Sequence, residues 1–340
     1  MASDTPLQGL IREEIKAKGP ISFARFMELA LYCPNLGYYE RPESRIGKHG
    51  DYYTNVSVGP LFGRLLAFQF AKWLEPIPGP VQLVEAGAHD GRLASDILSA
   101  LPESLLQRVE YWIVEPSENR QKWQQETLNE FAGKVRWFKA LPDSVTGVIF
   151  CNELLDAMPF KRIGWDAKNQ TWFEWCVTQD LQWARVPYPL PNDTEFTAVL
   201  PDGYGWEISV AAGKWWISAA HALRVGKLCA IDYFLEDHQV WRPERVNGTA
   251  RAYRDHHVSN DLLADVGEQD ITAHVHVTPL QKLAEKAGLT TEALITQAVF
   301  LTRILQQGAP LPEQYIGQFK TLTHPEHLGE RFKVLIQSRA

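Results

Sequence analysis

Apolar residues recur along the chain with two different periods, which separate a helical beginning from a mixed region of strands and helices. Apolar side chains lie at helical spacing over residues 7–15, and Gly19-Pro20 ends this first helix. Ser22 is placed to cap a second helix, because its hydroxyl can accept hydrogen bonds from free backbone N–H groups. The spacing predicts a third helix over 61–74, so residues 1–75 are expected to be mainly helical.

From Val81 onward, short apolar segments alternate with helical ones, a pattern typical of βαβ units and a mostly parallel sheet. The first strands of this region are predicted at 81–86, 109–114, 135–138 and 147–151. A hairpin or meander is predicted from strands at 160–165, 171–177 and 181–186. The remaining pattern predicts a helix at 209–223, strands at 227–233, 249–253 and 272–277, helices at 279–287 and 291–307, and a last strand at 332–336.

Residues 81–93 combine an apolar strand, a turn with two glycines and the start of a helix. Glu85 stands at the end of the strand, and Gly87 and Gly91 lie in the turn. A strand, turn and helix of this kind open a nucleotide-binding α/β domain. Glu115 follows the next predicted strand, at the position where a Rossmann-type domain binds the two hydroxyls of an adenosine ribose.

The residues between the two glycines distinguish between classes of cofactor. A dinucleotide site uses three glycines, since the pyrophosphate lies against bare backbone at a helix N-terminus. Here His89 and Asp90 stand between the glycines, and carboxylates at Glu85 and Asp90 would repel a pyrophosphate. They suit a cofactor with a cationic amino-acid end, such as S-adenosylmethionine. A buried strand and helix start without a ligand is the alternative interpretation.

The composition of the 340 residues argues against several classes of protein. With a net charge of −7 and no run of Lys or Arg, the chain is not expected to bind nucleic acid. No apolar run reaches the length of a membrane span, and the first residues resemble neither a signal peptide nor a transit peptide. The four cysteines are scattered, which favours reduced thiols, a cytoplasmic location and no structural zinc. His274 and His276 would share a strand face, but no third ligand is placed with them, so no metal site is expected.

Five spaced motifs resemble those of a known family. They are Gly50-Asp51-Tyr52-Tyr53-Thr54, Asn152-Glu153-Leu154-Leu155-Asp156, Gly248-Thr249-Ala250-Arg251-Ala252-Tyr253-Arg254, Asp270-Ile271-Thr272-Ala273-His274-Val275 and Gly329-Glu330-Arg331-Phe332-Lys333-Val334-Leu335. In this order, and over nearly the whole chain, the sequence is similar to the MidA-like family of S-adenosylmethionine-dependent methyltransferases. That family includes the mitochondrial complex I assembly factor that methylates arginine on a subunit of the enzyme.

The resemblance implies an α/β fold, namely a Rossmann-like class I methyltransferase sheet with an N-terminal helical extension and inserted β/α elements. Residues 1–75 would form the extension and carry a loop at 47–57 that covers the cofactor. Residues 76–340 would form the methyltransferase domain, with insertions at 160–205 and 235–285.

The resemblance also implies functional residues. Those expected to bind S-adenosyl-L-methionine are Gly50, Asp51, Thr54, Glu85, Gly87, His89, Gly91 and Glu115. The expected catalytic residues are Asn152, Glu153, Asp156 and His274. On a helix, Glu153 and Asp156 would share one face, where two carboxylates suit a guanidinium acceptor; the alternative is a pair of solvated acids in a first helical turn. The family usually has glycine where this chain has His89, a side chain that would either crowd the cofactor or contact it.

Three functions are left open by the sequence. The leading hypothesis is methylation of a protein on arginine, in the service of respiratory complex assembly. A small-molecule O- or N-methyltransferase is the second, and a non-catalytic assembly chaperone that keeps the methyltransferase fold is the third. The expected partner is a protein substrate, such as a respiratory complex subunit, and a homodimer is left open. In a eukaryote the expected compartment would be the mitochondrial matrix rather than the cytoplasm.

Overall fold

The computed structural model describes residues 4–41, 54–190, 197 and 199–340. The predicted cofactor residues Gly50 and Asp51, and most of the predicted loop at 47–57, lie outside the described residues. The α-helices of the described residues are α1 (Pro6–Lys18), α2 (Phe23–Tyr32), α3 (Asn55–Val58), α4 (Leu61–Leu74), α5 (Arg92–Ala100), α6 (Glu103–Leu106), α7 (Glu118–Thr127), α8 (Val210–Ala222), α9 (Asp237–Val240), α10 (Val277–Lys286), α11 (Gln297–Gln306) and α12 (Ile316–Thr323).

Short helical turns of other types lie at Tyr38–Glu40, Asn129–Phe131, Pro243–Arg245, Glu313–Tyr315 and Pro325–Gly329. The strands of the described residues are β1 (Ile21–Ser22), β2 (Val81–Ala86), β3 (Val109–Val114), β4 (Val135–Phe138), β5 (Val145–Asn152), β6 (Lys161–Asp166), β7 (Thr171–Val177), β8 (Trp183–Pro187), β9 (Gly205–Ile208), β10 (Leu223–Asp232), β11 (Phe234–Leu235), β12 (Arg251–Arg254), β13 (His257–Ser259), β14 (Asp270–Thr272), β15 (Val275–His276), β16 (Thr290–Thr296) and β17 (Lys333–Arg339). None of the described helices is both long and apolar enough to cross a membrane.

The chain forms two compact units, each assembled from separated segments. The first unit takes its described residues from 1–44, 156–213 and 235–278. The second unit takes them from 45–155, 214–234 and 279–340. This division does not follow a single boundary at residue 75. Helix α4 belongs to the second unit, whereas most of both predicted insertions share the first unit with α1 and α2.

The second unit is built on a seven-stranded sheet with the order β16-β17-β10-β5-β2-β3-β4. The five strands β10, β5, β2, β3 and β4 are parallel to one another. Strand β17 is antiparallel to both of its neighbours, β10 and β16. The chain runs outward from β2 to β4 and then returns to the other side of β2 as β5. The strand order therefore reverses between β2 and β5, the place where open α/β sheets bind ligands at the carboxyl ends of their strands. The predicted Rossmann-like α/β sheet is confirmed.

Two predicted elements are wrong in the later part of the chain. The predicted helix at 291–307 begins only at Gln297, because the residues before it form β16 and pair with β17. The single strand predicted at 272–277 is two short strands, β14 and β15. Between them, Ala273 N–H donates to the carbonyl of Asp156 (3.1 Å) and His274 N–H to Thr249 Oγ1 (3.0 Å), so neither N–H bonds to a neighbouring strand.

Helices α4 and α5 pack closely in the second unit because Gly63 has no side chain. A Cβ atom at Gly63 would lie 2.4 Å from Cβ of Asp96 on α5. Most of the apolar residues of α4 are buried. Among them, Phe70 packs on Phe150 of β5 with a ring-centroid distance of 4.9 Å. The sheet is thereby covered by a helix that the sequence placed in the N-terminal extension.

The first unit contains an antiparallel sheet of order β1-β7-β6-β9, in which β8 also pairs with β7. The predicted meander is confirmed by the antiparallel pairs of β6 with β7 and of β7 with β8. Ser22 caps α2 as predicted, since its hydroxyl accepts from the Arg25 N–H (3.1 Å). The ring of Phe23 then packs on Phe160 and Trp183 at centroid distances of 5.5 and 5.2 Å. A smaller antiparallel sheet has the order β13-β12-β14.

Candidate functional site

The turn between β2 and α5 uses three residues with left-handed backbone. Their φ angles are 74° at Gly87, 47° at His89 and 84° at Gly91. A Cβ atom at Gly87 would lie 2.8 Å from Leu154 Cδ1, so this position needs glycine for space as well as for conformation. His89 keeps the left-handed conformation that a glycine would adopt more easily, at a cost of roughly 1–2 kcal/mol. His89 therefore adopts a left-handed backbone at the position where the family usually has glycine.

Asp90 is held within this turn by the residue that begins α5. The Arg92 N–H donates to Asp90 Oδ1 (3.1 Å), and the Arg92 guanidinium donates to Oδ2 (2.5 Å). Burial would raise the pKa of Asp90, but interactions with His89 and Arg92 outweigh burial and lower this pKa well below its usual range. Asp90 is therefore a charged group with both His89 and Arg92 as partners.

Glu85 is a buried carboxyl group on β2, with only 2% of its surface exposed. The Tyr111 hydroxyl on β3 donates to Glu85 Oε2 (2.5 Å). Burial raises the pKa of Glu85 to about 7, the Tyr111 hydrogen bond opposes this rise, and the charge of Asp90 adds to it. Both protonation states of Glu85 are therefore populated near neutral pH.

Glu115 follows β3 and is 1% exposed. Its Oε1 accepts from the Ser117 N–H (2.9 Å) and lies 3.2 Å from an Arg120 nitrogen. Its Oε2 accepts from Gln124 Nε2 (3.2 Å). The carboxylate is therefore oriented by the start of α7 at the edge of the sheet where the predicted ribose site lies.

Gln124 links Glu115 to the glycine turn and was not singled out by the sequence. This fully buried side chain donates to the His89 carbonyl (3.0 Å) and accepts from Trp137 Nε1 (3.0 Å), besides its bond to Glu115. Helix α7 has a single large apolar residue, Trp123, so no periodic pattern marks Gln124 as buried. The carboxyl groups and left-handed turn of this region suit S-adenosyl-L-methionine, which has hydroxyl groups and a cationic end. The pairing of Glu115 with the hydroxyl groups and of Glu85 with the cationic end stays a prediction.

Asn152 ends β5 and Glu153 follows it, next to the strand-order reversal. Glu153 has a left-handed φ of 52°, and its N–H donates to the carbonyl of Ile231 on β10 (2.9 Å). Its Oε1 accepts from Asn152 Nδ2 (2.9 Å) and from the Asn55 N–H (2.8 Å). Residues 153–156 are not helical, so the prediction that Glu153 and Asp156 share a helix face is wrong. The left-handed residue directly after β5 prevents a helix from starting there.

Asp156 and His274 belong to the first unit, whereas Asn152 and Glu153 belong to the second. Asp156 is 6% exposed, and its backbone carbonyl holds Ala273. The prediction of Asp156 as a second acceptor carboxylate therefore no longer has the support of a shared helix with Glu153.

Part of His274 is exposed, but the residue lines a narrow cleft of about 20 Å³ together with Glu207 and Thr249. Burial of the ring lowers the pKa of His274 to about 4, and the charges of Arg245 and Arg251 contribute to this shift. The lowered pKa favours the neutral imidazole, which can accept a hydrogen bond.

Thr54 caps the short helix α3. Its hydroxyl accepts from the Ser57 N–H (3.0 Å), while Ser57 Oγ accepts from the Thr54 N–H (2.9 Å). This reciprocal pair explains Thr54 of the first motif, and Ser57 three residues after it, by local structure. The role of Thr54 in cofactor binding stays a prediction.

Three further buried polar residues surround the end of β5 and were missed by the sequence analysis. Asp232, at the end of β10, accepts from the Leu155 N–H (2.9 Å). Asn55 and Gln297 are fully buried and bonded to each other (2.8 Å). An Asp at the end of a predicted strand is a signal that the sequence contains, whereas nothing in the local pattern marks Asn55 or Gln297.

Comparison with known proteins identifies the family. The family model for S-adenosyl-L-methionine-dependent methyltransferases matches residues 65–295. A curated relative from Drosophila melanogaster, "Protein arginine methyltransferase NDUFAF7 homolog, mitochondrial", is 26% identical, with 96% of this chain and 83% of the relative covered. The Homo sapiens protein of that name is also 26% identical, with 96% and 82% covered.

A solved structure shows the same fold and a bound product of the cofactor. The protein from Burkholderia thailandensis, crystallised with S-adenosyl-homocysteine, is 29% identical and superimposes with a TM-score of 0.89 over 100% of this chain and 95% of that one. The family match covers more than half of this chain. The chain therefore belongs to this family of S-adenosyl-L-methionine-dependent methyltransferases.

Proposed function

We propose that this methyltransferase modifies an arginine side chain of another protein. The observation that carries the proposal is the oriented carboxylate of Glu153 directly after β5, beside the strand-order reversal. A carboxylate attracts and orients a guanidinium group through charge-assisted hydrogen bonds. The curated relatives, named as protein arginine methyltransferases, support the same acceptor.

The cofactor residues of the proposal surround the turn after β2. Gly87 and Gly91 give the turn its left-handed backbone, and His89 lies between them. Glu115 would accept the ribose hydroxyls, and Glu85 would face the ammonium end of S-adenosyl-L-methionine. When bound, this cofactor supplies an electrophilic methyl group on a positively charged sulfur. Gly50, Asp51 and Thr54 complete the proposed set.

The acceptor residues of the proposal bind and orient the guanidinium group. Glu153 would bind it, with Asn152 keeping the carboxylate in place (2.9 Å). The catalytic role of Asp156, which belongs to the first unit, stays a prediction. In the overall reaction one N–H hydrogen is replaced by a methyl group and a proton is released. A catalytic role for His274, which belongs to the first unit, stays a prediction.

The test is methyl transfer from radiolabelled S-adenosyl-L-methionine to proteins of a host-cell lysate, followed by mass mapping of the labelled residue. Wild type should label arginine, and Glu153→Gln should reduce the rate by roughly 100-fold or more, the scale of losing a positioned polar group. Glu118→Gln, at an exposed carboxylate on α7, serves as the control. Label on a small molecule alone, or no label despite tight cofactor binding, would refute protein arginine methylation.

We further propose that the acceptor is a subunit of a respiratory complex and that the enzyme works in a reducing compartment. Among the described residues, no disulfide joins Cys33, Cys151, Cys176 or Cys229, which suits the cytoplasm or the mitochondrial matrix. Fractionation of labelled cells, followed by identification of the labelled protein, tests both statements. A homodimer stays a prediction, which light scattering can test.

A further inference from the structure

Three side-chain amides form a hydrogen-bonded series that ends on the carboxylate of Glu153. Gln297 Nε2 donates to Asn55 Oδ1 (2.8 Å). Asn55 Nδ2 in turn donates to Asn152 Oδ1 (3.1 Å), and Asn152 Nδ2 donates to Glu153 Oε1 (2.9 Å). Each donor points towards Glu153, so the amide dipoles polarise one another in the same direction.

The direction of this series is determined by its first member. The Gln297 amide nitrogen also donates to the backbone carbonyl of Leu322 (3.0 Å). Because both neighbours of this nitrogen are acceptors, only the NH₂ end of the Gln297 amide can face them. Gln297 and Asn55 are both fully buried, so water cannot replace these bonds without entering the unit.

At the other end of the series, two donors hold the same carboxylate oxygen of Glu153. Glu153 Oε1 accepts from the Asn55 N–H (2.8 Å) as well as from Asn152. The backbone of Glu153 is left-handed, with a φ of 52°, and its N–H is bound to Ile231. A side chain keeps this conformation only where its surroundings hold it, and such residues cluster at functional sites.

We propose that Gln297 and Asn55 are positioning residues for Glu153. Gln297 begins α11 and Asn55 begins α3, so the ends of two helices distant in the sequence would set the orientation of the carboxylate that binds the acceptor. The inference rests on the proposed function, in which Glu153 binds the guanidinium. Loss of either amide should therefore act on the acceptor and leave the cofactor site unchanged.

The primary variant is Gln297→Met, which keeps the length of the side chain and removes both donors. Its matched control is Gln337→Met on β17 of the same unit. Gln337 is also fully buried and hydrogen-bonded, but its amide contacts Trp216 and Thr291 (2.8 Å each). We expect Gln297→Met to lower kcat/KM for protein labelling in the lysate by about 10-fold or more, as for a misplaced reacting group. Gln337→Met should label at the wild-type rate, and both variants should bind S-adenosyl-homocysteine as tightly as wild type.

A double-mutant cycle separates positioning from general stability. In the Glu153→Gln background, Gln297→Met should cause little further loss, because the carboxylate that it orients is already gone. A second full loss in that background, or equal rates for Gln297→Met and wild type, would refute the inference while leaving arginine methylation intact. Asn55→Ser provides the same comparison if Gln297→Met does not fold. Absence of labelled arginine with wild type would overturn the proposed function, and the inference with it.

Discussion

The two buried carboxyl groups at the ends of β2 and β3 differ in their partners. Glu115 is held by Ser117, Arg120 and Gln124, whereas Glu85 is bonded to the Tyr111 hydroxyl. Donors with a positive charge or a backbone N–H favour an ionised carboxylate, while burial without a cation favours the protonated form. At the residue scale, Glu115 is therefore suited to accept hydroxyl groups, and Glu85 is sensitive to pH.

Replacing Glu115 by Ala should weaken the binding of S-adenosyl-homocysteine by roughly 1.5–3 kcal/mol, the range for hydrogen bonds to a charged group. The physical reason is that the ribose hydroxyls would lose their acceptor. Titration calorimetry measures the effect, with Glu118→Ala at the start of α7 as the control, since Glu118 is 72% exposed. An unchanged affinity would show that the ribose binds elsewhere.

The pKa of Glu85 predicts a pH dependence of stability. Since this pKa is raised from 4.5 to about 7 in the folded protein, the folded state binds more protons than the unfolded state between these values. The contribution of Glu85 is therefore fully present below pH 4.5 and is lost as the pH rises through 7. Glu85→Gln should remove a change of about 3 kcal/mol in the free energy of unfolding over this window.

Urea denaturation at pH 5 and pH 8 checks this prediction. Between these two pH values, the stability of wild type should fall relative to that of Glu85→Gln. The exposed Glu130→Gln should instead follow wild type at both pH values. Parallel behaviour of Glu85→Gln and wild type would mean that Glu85 is ionised throughout.

At the scale of elements, the contact between α4 and α5 depends on one missing side chain. Gly63→Ala would place a Cβ 2.4 Å from Asp96 Cβ, so the helices would have to separate. We expect a loss of about 1–3 kcal/mol from overpacking, larger than the gain of about 1 kcal/mol from the higher helix propensity of Ala. Thermal unfolding measures the difference. Gly133→Ala is the control, because a Cβ there meets nothing within 4 Å; equal stability of the two variants would contradict close helix packing.

At the scale of the whole molecule, each unit is assembled from separated segments, and the proposed ligand residues around the glycine turn all lie in the second unit. A ligand that binds only the folded state stabilises it by about 2.7 kcal/mol at a concentration of 100 Kd. S-adenosyl-homocysteine should therefore raise the Tm of the second unit, while NAD should not. Calorimetric scans measure both. A similar shift with NAD would contradict the site, and NAD is the informative control because the fold class alone also suits dinucleotides.

The sequence by itself determined three strands of the second unit, β2, β3 and β4, and the acids at the end of β2 and directly after β3. The apolar runs at 81–86, 109–114 and 135–138 coincide with β2, β3 and β4, because buried parallel strands need continuous apolar residues. Gly87, Gly91 and Glu115 could also be placed from the sequence, because turn chemistry and strand ends are local features. The departure at His89 was visible in the sequence, whereas its left-handed backbone was not.

Only the tertiary structure decided how distant segments meet. Gln297 bonds to Asn55 across 242 residues of sequence, and no local pattern encodes such a contact. The strand β16 follows from pairing with β17, and pairing overrode a sequence that also suits a helix. The left-handed backbone at Glu153 prevents a helix over residues 153–156. Local propensity sets which elements can form, but long-range hydrogen bonds and packing select which of them do, and which polar side chains they bury together.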